Sequence, residues 1–360
     1  GDLGRFVSCS EPDLVLAWAW IITALRPFMR DGSYAILLVT GLQNSGKSLA
    51  MRYLVSLLDP TSLTGVAPPQ KDDDLYVIAA GRHVIAFDNL SNLSGDLSDT
   101  LARVATGGAY AKRGLFSNFD LASMRALKPI ALNGIPSNLV ERLDTQSRCL
   151  KLELIRPAER IEEQALNSQF EAARPGLLGL ICDGLAAALR NLDRIEIDGR
   201  TAPRNIDGAR WVEAAAEGLG IAPGAMLTAW RDSNLAAARD AIGLDEFAGA
   251  VVALMAAREA QRRDTLSDAD RAIDALEADS KSRWGEASSK FSPVELDKAL
   301  RAIAGPDATR ARSWPQGANA MSKRLQRLTD ALKSAEGIEV ANGRDKGGRW
   351  ISLRRIAPAD

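Results

Sequence analysis

Residues Gly41-Leu42-Gln43-Asn44-Ser45-Gly46-Lys47-Ser48 follow the pattern G-x-x-x-x-G-K-S and come directly after the apolar run from Tyr34 to Thr40. A buried strand that ends in such a loop and opens into a helix aims backbone N–H groups and the positive helix end at one point. A polyphosphate fits there, with Lys47 reaching the β- and γ-phosphates and the Ser48 hydroxyl holding Mg²⁺. The flanking sequence supplies the strand (34–40) and a helix (49–58), so the string implies nucleoside-triphosphate binding. Gly41, Asn44, Ser45, Gly46, Lys47, Ser48 and Leu49 are the expected cradle.

The 360 residues suffice for two or three domains. At 46% hydrophobic and 25% charged, the composition is that of an ordinary soluble protein. Net charge is −1, but residues 281–360 hold 16 Lys+Arg against 9 Asp+Glu, leaving about −8 elsewhere. A basic tail on an acidic body points to an acidic partner. Cys9, Cys149 and Cys182 lie far apart and His83 stands alone, which argues against a zinc site or disulfide framework and fits a reducing cytoplasm. The longest apolar stretch, Leu14 to Leu25, is too short to span a bilayer and reads as a helix packed on the nucleotide domain. No signal-peptide pattern is present, no membrane partner is expected, and a first residue of Gly1 rather than Met suggests a piece of a longer chain.

Strands are expected at 82–89, 128–134 and 149–154, with helices at 10–30 and 96–106 and a Pro/Gly/Asp-rich connection at 59–74. Residues 110–127 read as a hairpin turning at Ser117–Asp120. Helical patterns fill 159–220, broken at Arg174-Pro175-Gly176 and at 198–204, and resume from Leu244 to Ala278. Strands alternating with helices imply an α/β core with a parallel sheet, and the helical stretch beyond the last strand reads as a lid.

Asp88 ends the second strand, where a ligand for Mg²⁺ or its water is needed. Asn89 follows where hydrolases of this kind place a glutamate; an amide cannot take a proton but can position water, helped by Asp96 or Asp99. Asn133, at the tip of the third strand, suits a residue that reads the γ-phosphate, or equally a turn Asn before Gly134. Arg142 and Arg148 flank the approach to the fourth strand, where ring-forming ATPases offer an arginine to a neighbour's phosphate; Arg148 is preferred. Arg204, after Pro203, is a candidate second phosphate-sensing arginine. Lys112, Arg113, Arg125 and Lys128 are cations of the hairpin, which in a ring would line the pore and grip phosphates without reading bases.

In the tail, Ser292-Pro293-Val294-Glu295 is a capping box. A helix is expected over 318–335, stopped by Gly337, then short strands at 338–342 and 349–356 joined by a loop. Lys323, Arg324 and Arg327 share the helix, and Arg344, Lys346 and Arg349 surround the loop. A helix followed by a basic two-stranded wing is a winged-helix arrangement suited to duplex DNA, though such wings also contact proteins.

The combination of Thr40-Gly41, Gly46-Lys47-Ser48, Phe87-Asp88-Asn89-Leu90-Ser91, Arg103 to Gly108, Lys128 to Ile135 and Trp314-Pro315 resembles the ATP-binding proteins of bacterial prophages and mobile elements. These look like the superfamily 3 and MCM-related helicase branch of the AAA+ ATPases. The resemblance implies an AAA+ P-loop core with a helical lid, ATP and Mg²⁺ as cofactors, homo-oligomeric rings (commonly hexamers), single-stranded DNA in the pore, duplex at the winged helix, and a primase as companion. Asp88-Asn89 in place of Asp-Glu is its departure from most AAA+ enzymes. The expected organisation is an N-terminal helix (1–30), the ATPase core (31–157), a helical lid and linker (158–280) and a winged-helix domain (281–360). The expected function is a bacterial cytoplasmic replicative helicase. An initiator or loader that hydrolyses ATP without unwinding, and a signalling or defence ATPase with a protein-binding tail, are the alternatives.

Overall fold

The computed structural model describes residues 2–26, 32–60, 66–69, 71–90, 95–113, 121–134, 148–157, 159, 161–198, 202–265, 289–311 and 313–356. Internal contacts divide the chain into two units, Gly1–Asn234 and Leu235–Asp360. The boundary falls inside the stretch 158–280 that the sequence groups as one region.

In the first unit, β1 (Ile36–Gly41), β2 (Ile85–Leu90), β5 (Ile130–Gly134) and β6 (Cys149–Leu154) form a parallel sheet in the order β2-β5-β1-β6. Successive strand side chains point to opposite faces, and both faces are covered. Leu37 and Val39 join a core built with α1 (Glu11–Leu25), α2 (Lys47–Leu58), α5 (Glu163–Asn191) and α6 (Ile206–Ala215). Ile36 and Leu38 join the opposite core with α3 (Asp72–Ala80) and α4 (Gly95–Thr106). This double burial makes the strands read as continuous apolar runs. The hairpin β3 (Ala109–Arg113) and β4 (Leu121–Arg125) pairs Lys112 with Ala122 and Arg113 with Leu121, ahead of β5. Its turn residues Ser117–Asp120, and Arg142, lie outside the described residues.

Helix α1 is capped by Ser10, whose hydroxyl accepts the Asp13 N–H at 3.2 Å, and every residue from Leu16 to Ala24 is buried. Each large apolar side chain so buried contributes about 1.5–3 kcal/mol. The helix stops at Leu25 rather than running to residue 30. Arg26 (ψ 145°) precedes Pro27, whose ring bars the residue before it from helical backbone.

Two other expectations change. The stretch 59–74, read as a connection, already contains the start of α3. Helix α5 runs through Arg174-Pro175-Gly176, where the sequence suggests a break. A proline inside a helix costs about 3 kcal/mol. Here it sits on the exposed side, while Phe170, Leu177, Ile181 and Gly184 hold the buried side against the core. By length and composition this helix could cross a membrane; its apolar residues are in part those packed in the first core.

The second unit receives the end of α7 (Ala225–Leu244), then α8 (Glu246–Thr265), β7 (Ser289–Phe291), α9 (Pro293–Arg310), α10 (Ala318–Glu336), β8 (Ile338–Asp345) and β9 (Gly348–Arg355). The Ser292/Glu295 capping box forms with both of its hydrogen bonds, and α9 breaks at Gly305 (φ 81°). In α10, Met321, Leu325, Leu328 and Leu332 are buried at helical spacing, which leaves Lys323, Gln326, Arg327 and Asp330 on the solvent side. The sheet order is β7-β9-β8. Its two long strands extend further than the sequence suggests: Arg344 pairs with Arg349 and Asp345 with Gly348, leaving only Lys346-Gly347 as the turn. Asp345 accepts the Gly347 N–H at 2.9 Å, which closes so short a turn.

Gly337 ends α10 in left-handed backbone (φ 61°), and a Cβ there would stand 2.7 Å from the Ile356 carbonyl oxygen. Gly337→Ala is expected to destabilise the second unit by about 1–2 kcal/mol. Urea unfolding of the full chain should show an earlier transition for that unit and an unmoved one for the first.

Candidate nucleotide-binding site

The loop between β1 and α2 is held in a conformation most side chains avoid. Gly41 has φ 146°, Asn44 φ 65° and Gly46 φ 80°. A Cβ on Gly41 would lie 2.7 Å from both the Leu154 carbonyl oxygen and Ser45 Oγ. Turns of this kind gather successive backbone N–H groups into an anion-binding concavity. No side chain caps α2 at Gly46, so its first-turn donors carry no cap of their own. The Lys47 ammonium folds back over the loop and donates to the carbonyls of Gly41 (3.0 Å) and Leu42 (2.9 Å). Ser45 Oγ is buried without a hydrogen-bond partner among the described residues.

Three elements bring three polar side chains together beside this loop. Parallel pairing sets Asn133 of β5 against Val39 of β1 and aligns Leu132 with Phe87 of β2, so the strand ends meet on one edge. Ser48 Oγ donates to Asp88 Oδ1 at 3.0 Å, and Asn133 Nδ2 donates to the same carboxylate oxygen and to Ser48 Oγ at 3.3 Å. Asn133 is 1% exposed and its Oδ1 is buried with no partner among the described residues. Asn89 donates its own N–H to Asp88 Oδ1 at 2.7 Å. It stands in left-handed backbone (φ 54°) where the β2–β5 register slips between Phe87 and Leu90. That bulge leaves the Asn89 side chain exposed while Asp88 turns toward the loop.

The donors suit Mg²⁺: one hydroxyl and one carboxylate, both hard oxygens, 3.0 Å apart. Magnesium commonly takes one or two protein oxygens and completes its shell with phosphate and water. Among the described residues no group of three His, Cys, Asp or Glu forms a cage of its own.

Arg148 and Arg204 lie elsewhere. Both line a cavity with Ser33, Tyr34 and Ala35, which precede β1, whereas Lys47 follows it. The six residues of β1 span about 20 Å at roughly 3.3 Å each. Arg204, read from the sequence as a second phosphate-sensing arginine, thus stands with Arg148 by the start of β1 and not beside its own chain's loop. The side chains of Lys112 and Arg113 fall outside the described residues, although their β3 backbone is described. Arg125 anchors the base of the hairpin, its Nε donating to Gly107 O at 3.0 Å.

In the second unit the six basic positions divide. Arg324 is ion-paired with Asp245 at 2.5 Å, and Asp245 also accepts the first-turn N–H groups of Phe247 and Ala248, so this arginine fastens α10 to the start of α8. Lys323, Arg327, Arg344, Lys346 and Arg349 are exposed. Lys290 stands 4.7 Å over the Trp350 ring of β9. Arg354 and Arg355 are held by Glu339 and Glu259.

Two contacts escape sequence reasoning. Arg156, just past β6, donates to the Gln43 carbonyl of the loop at 3.3 Å. Its signal was its place: Gly41 pairs with Leu154, so residues after β6 emerge beside the loop. The N-terminal segment also reaches this edge, through a Cys9–Leu154 bridge and the Ile155 N–H to Ser8 O at 2.8 Å. Burial, with Asp13 adding to it, pushes the Cys9 thiol up to about 12, so it stays protonated at neutral pH and does not serve as a nucleophile.

Residues 3–223 match a family described as actinomycete integrative conjugative element replication protein, and residues 247–360 match the C-terminal domain of that replication protein. No curated protein matches the sequence significantly. Among solved structures the chain is similar to the SCCmec type IV Cch active helicase, with 14% identity over 95% of this chain and 67% of that one, TM-score 0.46. It is also similar to the apo A form of the NrS-1 C-terminal region, with 11% identity over 99% and 78%, TM-score 0.38. Scores below 0.5 carry no weight of their own.

Gly41→Ala is expected to abolish nucleotide binding by the loop while leaving the far-ultraviolet spectrum unchanged, since the added Cβ displaces Ser45 and the β6 backbone locally. Fluorescent-nucleotide titration of the variant checks this; unaltered affinity would show that the tight Gly41 turn is dispensable.

Proposed function

The chain belongs to the family of actinomycete integrative conjugative element replication proteins, and on that premise we propose that it is an ATP-driven, Mg²⁺-dependent DNA motor. The carrying observation is the convergence of Ser48, Asp88 and Asn133 beside the Lys47 loop. Lys47 leaves its two carbonyl partners and moves onto the β- and γ-phosphates of ATP, while the loop N–H groups and the open end of α2 hold the rest of the polyphosphate. Ser48 and Asp88 would hold Mg²⁺, which would supply positive charge against the polyphosphate. Asn133, buried and bonded to both through its NH₂, is fixed at the strand tip with its amide oxygen left over, placed to read the γ-phosphate and line up the attacking water. Each role needs a group fixed before the reaction, and the sheet fixes all three.

The finer reading assigns the first unit to the AAA+ class, in its superfamily 3 and MCM-like branch. The strand order, with the Lys47 strand between the Asn133 strand and the Arg148 strand, and the hairpin before β5 support it. In this reading the helical region beyond β6 is the lid, copies assemble head to tail into a ring, commonly a hexamer, and Lys112 and Arg113 face single-stranded DNA in its pore. The order α8, β7, α9, α10, β8, β9 supports a winged-helix reading of the second unit. Lys323 and Arg327 on α10, with Arg344, Lys346 and Arg349 on the wing, then meet duplex DNA, and Arg324 serves the fold. A replication role places the protein with the element's DNA in the cytoplasm, with a primase as a fitting companion.

Asn89 favours a second reading, an initiator or loader that assembles on ATP and hydrolyses it slowly. The residue beside Asp88 has no carboxylate and sits in left-handed backbone, which suits asparagine better than glutamate. Strand displacement on a forked duplex separates the two readings: a motor opens the fork, whereas a switch hydrolyses ATP and leaves it closed.

Lys47→Ala is expected to lower ATP turnover, measured with and without single-stranded DNA, by about 100-fold or more; unchanged turnover would overturn the site assignment. Arg327→Ala is expected to lower the salt dependence of duplex binding by about one counterion, whereas Arg324→Ala lowers the stability of the second unit. Equal effects of the two variants on DNA binding would contradict the division of roles.

A further inference from the structure

The small sheet of the second unit has two unlike faces. Side chains alternate along a strand, and on one face Phe291, Ile338, Ile351 and Leu353 are buried. The other face carries Lys290 of β7, Trp350 of β9 and Gly343 of β8. Trp350 stands directly opposite Gly343, and a Cβ on that glycine would come 2.5 Å from the ring. The absent side chain is what lets the indole lie across the neighbouring strand. Its exposure sets it apart. The other described tryptophans, Trp18, Trp20, Trp211, Trp230 and Trp314, are at most 6% exposed, whereas Trp350 is only half-buried. The ammonium of the exposed Lys290 stands 4.7 Å over its ring.

The end of this hairpin is cationic. Arg344 pairs with Arg349 on the rung next to Gly343 and Trp350, and both are exposed. Like charges set opposite each other weaken a hairpin, and a polyanion relieves that repulsion. Lys346 lies in the turn. The carboxylates nearby are engaged: Asp345 accepts the Gly347 N–H at 2.9 Å, and Glu339 is shared by Lys333 and Arg354. An aromatic face among cations is the arrangement that holds single strands, because every base has a face to stack and the cations follow the backbone. The two faces divide the work. Arg344 and Arg349 share the face of Ile351, and Trp350 lies on the reverse. A base inside a duplex is already stacked on both sides, so the reverse face suits a base that has left it.

We propose that Trp350, seated against Gly343 and covered by Lys290, is a stacking site for one unpaired base of a DNA strand that leaves the duplex at the β8–β9 hairpin. This rests on the reading of the second unit as a DNA-binding domain, and it adds a base-holding face to a hairpin whose other cations meet backbone alone. Lys290 gives up the ring to the incoming base and turns to the adjacent phosphate; its flexible stem permits the move. The site takes any base and reads no sequence. Gly343 is the residue that makes room for the ring, so it belongs to the site although it contacts no DNA.

Fluorescence anisotropy with the full chain tests this, comparing a blunt duplex with the same duplex bearing a short single-stranded tail. Wild type should bind the tailed DNA about tenfold more tightly. Trp350→Ala should erase that preference while leaving blunt-duplex affinity and its salt dependence unchanged, and Trp350→Phe, which keeps a ring, should retain part of it. Lys346→Ala should weaken both DNAs alike, as loss of a phosphate contact does. Independently of any variant, iodouracil placed as the first unpaired base and irradiated on wild-type protein should crosslink to Trp350, located by mass spectrometry. The proposal is overturned if wild type binds the two DNAs equally, if the tail preference survives Trp350→Ala, if that variant loses both DNAs to the same degree, or if the crosslinks avoid Trp350. Wild-type protein with no affinity for either DNA overturns the DNA reading of the second unit along with it and leaves this face to a protein partner.

Discussion

The site depends on one constraint: parallel pairing of β1 with β5, and of β5 with β2, in a register that ends all three strands on one edge. That register brings Ser48, Asp88 and Asn133 within hydrogen-bonding reach across 85 residues of sequence. It also explains why Asn133 can be fully buried and still polar. A buried amide is tolerated only when it is bonded, and here the Asp88 carboxylate and the Ser48 hydroxyl accept from it while its oxygen is left over. The same constraint separates the two ends of the sheet by the length of β1, putting the loop on one edge and the Arg148/Arg204 cavity on the other.

Much of this was legible because the strands are buried on both faces. Apolar runs ending in Gly41, Asp88 and Asn133 mark both the strand and the point where its polarity changes, so the sheet residues were identified by position. Arg204 could not be placed in the same way. Its location depends on how a helical segment folds back onto the start of β1 through Asn205 and Ser33, a contact between residues 172 apart that no local pattern encodes. Arg156 was missed for the same reason. The helix through Pro175 shows tertiary packing overriding a local breaker: the buried side of α5 outweighs one lost backbone hydrogen bond.

In the tail, charge alone was an incomplete guide. Some basic residues of α10 and the β8–β9 hairpin are already paired with acidic side chains of their own unit. Arg324 holds Asp245 and thereby the first turn of α8, while Lys333 and Arg354 share Glu339. Lys323 and Arg327 on the solvent side of α10, and Arg344, Lys346 and Arg349 by the β8–β9 turn, are exposed. Sequence periodicity separated the exposed face from the buried one, but only the fold could show which cations it had already used.

The central claim is that a triphosphate sits on the loop between β1 and α2 with its metal shared by Ser48 and Asp88. Calorimetric titration of a non-hydrolysable ATP analogue into the full chain, with magnesium and then with chelator, tests it most directly. One nucleotide should bind per chain, and clearly more weakly once magnesium is removed. An absence of binding heat under both conditions, or affinity indifferent to magnesium, would contradict it.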